Sequence, residues 1–235
     1  MQRWGELLLS QVAPRRCPVC DHALTHSERT GFCPRCVPPP QLRFRWLGDL
    51  QVAGGRFEGG LRRSIHQLKY MARPEVATSL ADWLYRSSLL IHTEGNEAPT
   101  PGLGSHPREA QRPPWLVAVP LHRDRLVERG YNQAGLLASA LGSRLKLRVN
   151  HRCLVRVRAT AAQARLGALE RAENISGAFQ AGTRLRGERV ILVDDVATTG
   201  STLRACAAAL REVGTQCAGA LVVAIADEHH APQDQ

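Results

Sequence analysis

The segment Arg189–Leu203, RVILVDDVATTGSTL, constrains the fold more than any other part of the chain. Val190 to Val193 are aliphatic without interruption, so a strand built from them has no polar face and must be covered on both sides. Strands of that kind belong to parallel sheets sandwiched between helices. Two further runs share the character: WLVAVP from Trp115 and CAGALVVAIA from Cys217. Other stretches place apolar residues at helical spacing. These are Leu61, Ile65 and Leu68, then Val76, Leu80 and Leu84, then Ala134, Leu137, Leu141 and Leu145. The last is Leu203, Cys206, Leu210 and Val213, with Gly214 as its stop. The expectation is an α/β fold, a parallel sheet flanked by helices. Ligands of such sheets bind beyond the carboxyl ends of the strands, where Asp194 and Asp195 are expected.

Two neighbouring carboxylates repel each other, so the reason for pairing them must lie in the adjoining loop. Residues Ala197 to Thr202 offer backbone N–H groups, the hydroxyls of Thr198, Thr199, Ser201 and Thr202, and the pliant Gly200. Amides at the start of a helix suit an anion, here a phosphate monoester. Carboxylates beside it can only accept hydrogen bonds, which suits a sugar diol. Together they describe a site for a ribose 5-phosphate, with repulsion relieved by the diol, the helix dipole and Mg²⁺. An apolar strand ending in Asp-Asp also occurs in P-loop ATPases, but those need G-x-x-x-x-G-K-[ST], and the chain contains no Gly-Lys pair. The G-x-G-x-x-G turn of dinucleotide-binding folds is missing after the first strand as well. An ordinary strand-to-helix turn leaves four hydroxyls around one glycine unexplained.

VILVDDVATTGSTL resembles the phosphoribosyl diphosphate (PRPP) motif of type I phosphoribosyltransferases. The resemblance implies that Asp194 and Asp195 contact the ribose hydroxyls while Ala197, Thr198, Thr199, Gly200, Ser201 and Thr202 hold the 5-phosphate. A second segment, VAVPLHRDRLVERGYNQA, starts at another strand end. Leu121, His122 and Arg123 form its turn, and Arg123, Arg125 and Arg129 precede the next helix. Those cations could serve a diphosphate or could form a solvated basic face. PLHRDRLVERGYNQ resembles the signature of the ComF (competence protein F) family, as do GGLRRSIHQLKY, TAAQARLGALERAENISGAFQ and the paired cysteines, in order along nearly the whole chain. The resemblance implies that Leu121, His122 and Arg123 are the diphosphate loop; by their place in and after that turn, His122, Arg125 and Arg129 are the catalytic candidates. It implies that Gln163–Asn174 is a mobile loop closing over substrate, where Gln163, Arg171 and Asn174 match the pattern. The acceptor pocket would come from Gly54–Tyr70. The implied activity is phosphoribosyl transfer from PRPP with Mg²⁺, in a family associated with natural competence and DNA uptake. The alternatives are a PRPP- or nucleotide-binding module without turnover, and a DNA-handling accessory protein.

CPVC and CPRC place Cys17, Cys20, Cys33 and Cys36 in two knuckles twelve residues apart. Such spacing brings four thiolates into one tetrahedron, the geometry of structural zinc. A redox site would need a single C-x-x-C after a strand, and disulfides would need an exported chain. His22 and His26 lie between the knuckles, but four cysteines suffice. Cys153, Cys206 and Cys217 read as small buried apolar residues. CVPPP closes the cysteine-rich module at about residue 40, and residues 41–235 form the main domain, interrupted by a polar, Pro- and Gly-rich insertion at Glu94–Pro114. The net charge of +10 attracts polyanions, so single-stranded DNA and proteins of the competence machinery join PRPP as expected partners. No apolar run approaches the ~20 residues a bilayer requires, and the chain reads as cytoplasmic.

Overall fold

The computed structural model describes residues 15–25, 31–93, 113–159, 175, 177–182 and 188–227. The aliphatic run lies in strand β7 (Arg189–Ala197), where Val190 to Val193 are wholly buried. Burying one such side chain contributes about 1.5–3 kcal/mol, so this strand fixes the position of its neighbours. It pairs in parallel with β8 (Gln216–Ile225) on one side and β3 (Trp115–Ala118) on the other, Leu192 lying opposite both Ala220 and Val117. Beyond β8 comes β2 (Leu50–Arg56), also parallel, and then β1 (Arg43–Leu47), antiparallel to β2. Beyond β3 comes the short parallel β4 (Val149–Asn150), completing the order β1-β2-β8-β7-β3-β4. The sheet is mixed and mostly parallel, as the apolar runs require. β5 (Leu154–Arg156) and β6 (Phe179–Ala181) form a separate antiparallel pair.

Five helices accompany these strands among the described residues: α1 (Gly59–Tyr70), α2 (Val76–Thr93), α3 (Arg123–Arg129), α4 (Gln133–Leu145) and α5 (Ser201–Glu212). Four carry the apolar stripes read from the sequence. Leu61, Ile65 and Leu68 of α1, Leu80 and Leu84 of α2, Leu137 and Leu141 of α4, and Leu203, Cys206 and Leu210 of α5 are all buried. Asp82 of α2, itself buried, binds Arg144 of α4 and ties these two helices together. α5 ends where its glycine sits, Gly214 taking φ +76° and donating its N–H to the Arg211 carbonyl. No helix among the described residues is long and apolar enough to cross a membrane.

Three features differ from the expectation. The strand does not stop before the acids: β7 runs on through Asp194 and Asp195 to Ala197, because β8 extends far enough to pair with it there. Arg123–Arg129 is a helix rather than an open turn. β1 and β2 were not marked by apolar periodicity. Residues 94–112 of the expected Glu94–Pro114 insertion, the expected closing loop at Gln163–Asn174 and His26 lie outside the described residues.

Candidate functional site

Because side chains alternate along a strand, Asp194 and Asp195 leave β7 on opposite faces. This separates the charges more than their adjacency in sequence suggests. Asp195 is buried and its Oδ1 lies 3.1 Å from Nζ of Lys69, the two side chains being 9% and 14% exposed. Asp194 accepts the N–H of Asp195 at 2.8 Å and lies within electrostatic reach of Arg156 on β5. Burial pushes the Asp194 carboxyl up to about 7 and the Asp195 charge adds to the rise, against the pull of Lys69, the Asp195 amide and Arg156. Burial works against the Lys69 charge too, but Asp195 and Asp194 outweigh it and hold the ammonium above its ordinary range.

After Ala197, whose carbonyl accepts the Ala226 N–H at 2.8 Å, the chain turns through Thr198 and Thr199 to Gly200, the residue capping α5. Gly200 takes φ +75°, and a Cβ there would lie 2.4 Å from Cδ1 of Leu47 on β1. Only glycine meets both conditions. Gly200 itself offers no side-chain cap and the first turn carries no acidic residue; the Ser201 N–H meets Thr199 Oγ1 at 3.4 Å, and the remaining amides of the turn are of the kind that suit an anion. Thr199 Oγ1 and Ser201 Oγ are 2.9 Å apart, and Arg204 fastens the loop by donating Nη1 to the Thr199 carbonyl at 2.9 Å.

The turn after β3 is held beside this site by two bonds. The Val119 N–H donates to the Val193 carbonyl at 2.9 Å, and Asn132 donates Nδ2 to the Val119 carbonyl at 3.0 Å. Leu121 and His122 are partly covered and Arg123 is exposed. His122 caps α3, its Nδ1 accepting the Asp124 N–H at 3.4 Å. Arg125 donates to Glu128 at 2.9 Å, while the Arg129 guanidinium lies 5.4 Å from the Tyr70 ring centroid. Burial disfavours the Arg156 charge, and nearby Arg125 disfavours it further. Arg156 is therefore within electrostatic reach of both Asp194 and Arg125. Arg129 is engaged with α1 instead.

The four N-terminal sulfurs converge, every Sγ within 4.8 Å of the others and Cys20 to Cys33 at 3.6 Å. Sulfurs around one Zn²⁺ with bonds of about 2.3 Å are about 3.8 Å apart, so the cluster could hold a tetrahedral ion. Each knuckle is a tight turn: the Asp21 N–H reaches the Cys17 carbonyl at 2.9 Å and the Cys36 N–H the Cys33 carbonyl at 2.9 Å. The His22 backbone pulls the Cys20 thiol down to about 7. The knuckles pack on the helices, Gly31 against Ser79 of α2 and Gly60 of α1 against the Cys36 carbonyl. Trp83 of α2 donates Nε1 to the Pro38 carbonyl at 3.1 Å.

A family model for the phosphoribosyl transferase domain matches residues 129–235. The DNA utilization protein YhgH of Escherichia coli O6:H1 is 35% identical over 206 residues, covering 85% of this chain and 81% of that protein. Competence protein F of Haemophilus influenzae is 38% identical over 107 residues, 44% of this chain and 47% of its own length. The chain belongs to the ComF family. Competence protein ComFC of Bacillus subtilis is 36% identical over 99 residues, 42% of this chain and 39% of its own. In this ComF chain the phosphoribosyltransferase-type sheet carries the acid pair and the helix-capping loop on one strand-to-helix junction. Sequence reasoning missed Lys69 and Arg156. Lys69 had a signal: it stands four residues after Ile65, so a charge occupies a position on the apolar stripe of α1. Arg156 sits in a strand three residues long and had none.

Proposed function

We propose that this ComF protein binds PRPP and transfers its phosphoribosyl group to an acceptor, releasing diphosphate. The observation that carries this reading is the junction of β7 and α5, where the paired acceptors Asp194 and Asp195 precede the Gly200-capped start of a helix with no acidic residue in its first turn. Asp195, held by Lys69, accepts from the ribose hydroxyls, Asp194 on the other face of β7 adds acidic character beside them, and the Thr198–Thr202 amides and hydroxyls hold the 5-phosphate. The turn Leu121–Arg123 takes the diphosphate, with Arg125 adding positive charge nearby. In the reaction the bond from C1′ to the diphosphate oxygen breaks and a bond from C1′ to the acceptor forms, the acceptor losing its proton. The oxocarbenium-like centre between these events is favoured by positioning and by neighbouring negative charge. Gln163–Asn174 is proposed as the segment that excludes water during transfer.

Mg²⁺ fits as a companion of the substrate. The described residues place no third carboxylate or imidazole with the acid pair, and Mg²⁺ is commonly held by one or two carboxylates plus substrate phosphates. When bound it neutralises the leaving diphosphate. Zn²⁺ fits the four thiolates of Cys17, Cys20, Cys33 and Cys36, a closed set with no open position for chemistry. The test is a thermal melt of the protein with PRPP and Mg²⁺, followed by assay of released diphosphate across candidate bases and nucleosides. A rise in Tm that vanishes in the Asp194→Asn/Asp195→Asn variant is expected; an unchanged rise in that variant removes the ribose assignment.

A second reading, DNA handling, draws on the names of the relatives and on the net charge of +10. It predicts single-stranded DNA affinity that falls steeply with salt. Affinity indifferent to salt would remove it.

A further inference from the structure

Lys69 is built into the site with more care than a surface lysine receives. The residue before it, Leu68, is fully buried and its carbonyl accepts the Tyr131 hydroxyl at 2.7 Å. The residue after it, Tyr70, lies under the Arg129 guanidinium at 5.4 Å. The end of α3 and the segment just after it thus hold α1 on both sides of Lys69, at the backbone of Leu68 and at the ring of Tyr70, and the ammonium lies 3.1 Å from Oδ1 of Asp195. Stability alone does not account for it. Replacing a buried ion pair by well-packed apolar residues is often neutral or stabilising, and a leucine at position 69 would simply continue the Leu61–Ile65 stripe of α1. With Lys69 on Oδ1, the second carboxylate oxygen of Asp195 stays free to accept from a ligand. The charge that accompanies the acid pair is therefore a residue of the chain.

We infer that Lys69 is a positioning residue for the sugar: it fixes the Asp195 carboxylate and supplies the cation beside the diol, so that the ribose 5-phosphate half of the ligand binds without a divalent metal. On this view only the diphosphate half calls for Mg²⁺. The inference rests on the reading of the acid pair as a ribose site, and the experiment separates the two.

The full-length protein is titrated calorimetrically with ribose 5-phosphate and with PRPP, each in EDTA and in Mg²⁺. The wild type is expected to bind ribose 5-phosphate with Kd unchanged within about twofold by the metal, and to bind PRPP more tightly when Mg²⁺ is present. Lys69→Met and Lys69→Gln are expected to weaken ribose 5-phosphate about tenfold or more, and Lys69→Arg to recover it to within about threefold. Because Lys69 acts through Asp195, Lys69→Met in an Asp195→Asn background should change Kd less than twofold. If Lys69→Met does not melt cooperatively, Lys69→Gln carries the comparison. Wild-type binding of ribose 5-phosphate that requires Mg²⁺, lysine variants that bind like wild type, or additive effects in the double variant would each overturn the role of Lys69 while leaving the ribose site standing. A wild type that binds neither ligand overturns both.

Discussion

Gly200 is where the proposed phosphate loop can be tested without touching a group that contacts ligand through a side chain. In Gly200→Ala the backbone must hold φ +75° with a Cβ present, which costs about 1–2 kcal/mol. The new methyl would also sit 2.4 Å from Cδ1 and 2.8 Å from Cβ of Leu47. Because Leu47 is buried in β1, it has little room to retreat, and such overpacking costs about 1–3 kcal/mol. For a chain of this size each kcal/mol moves Tm by about 2–4 °C, so a fall of roughly 4–20 °C is expected. Part of the strain will be relieved by displacing the loop, so ribose 5-phosphate affinity should fall as well. Differential scanning fluorimetry with and without ligand reads both effects. Adding Leu47→Ala removes the collision but not the backbone strain, and should return ligand affinity further than it returns Tm, since it leaves a cavity. A Gly200→Ala protein that melts within about 1 °C of wild type and binds normally would refute the argument that this glycine is fixed by its conformation and by Leu47.

Two further outcomes are expected. Asp194 is held at about 7 in the folded chain against an ordinary value of 3.8, so the native state retains its proton where the unfolded chain has lost it. Its contribution to stability is therefore full below about pH 4 and declines as pH rises to about 7. Urea titrations of the ligand-free protein should show Asp194→Asn gaining on wild type across that window and levelling off above it; a constant difference would contradict the assignment. Metal analysis of protein purified without chelator should find one Zn²⁺ per chain, and Cys33→Ser should lose the metal and lower Tm, because the second knuckle abuts α1 at Gly60. Metal-free wild-type protein with an unaltered melt would rule out a structural role.

The parts of the fold legible in the sequence were those in which one face or both are apolar. β3, β7 and β8 announce themselves by unbroken aliphatic runs, and α1, α2, α4 and α5 by stripes that prove to be the buried ones. α3 is different because none of its residues is buried, so it has no stripe to read. Its signals were at its ends, His122 capping the N-terminus and Gly130 at φ +76° closing the C-terminus. β1 and β2 mix arginine, glycine and aromatic residues, and their extended form depends on β8 offering an edge to pair with, which no local pattern encodes. The acid pair was legible as chemistry, since residue types and order specify what they can hold. That the strand carries the acids onto opposite faces was not, because it depends on how far β8 reaches. Lys69 was hidden by assumption, a charged residue at a core position being easily assigned to solvent.

The β1–β2 hairpin gives the two ends of the chain a mutual dependence. Leu47 is the floor beneath Gly200, Gly48 lies against the Arg204 side chain, and Asp49 accepts from Arg211 at 2.6 Å. A fragment restricted to residues 129–235 would lack that floor together with the whole of β2. β8, ten residues long and largely apolar, would then become a bare sheet margin, an invitation to self-association. The fragment also lacks β3, which pairs with the other edge of β7, so the half of this protein that carries the acid pair is expected to be insoluble when expressed by itself.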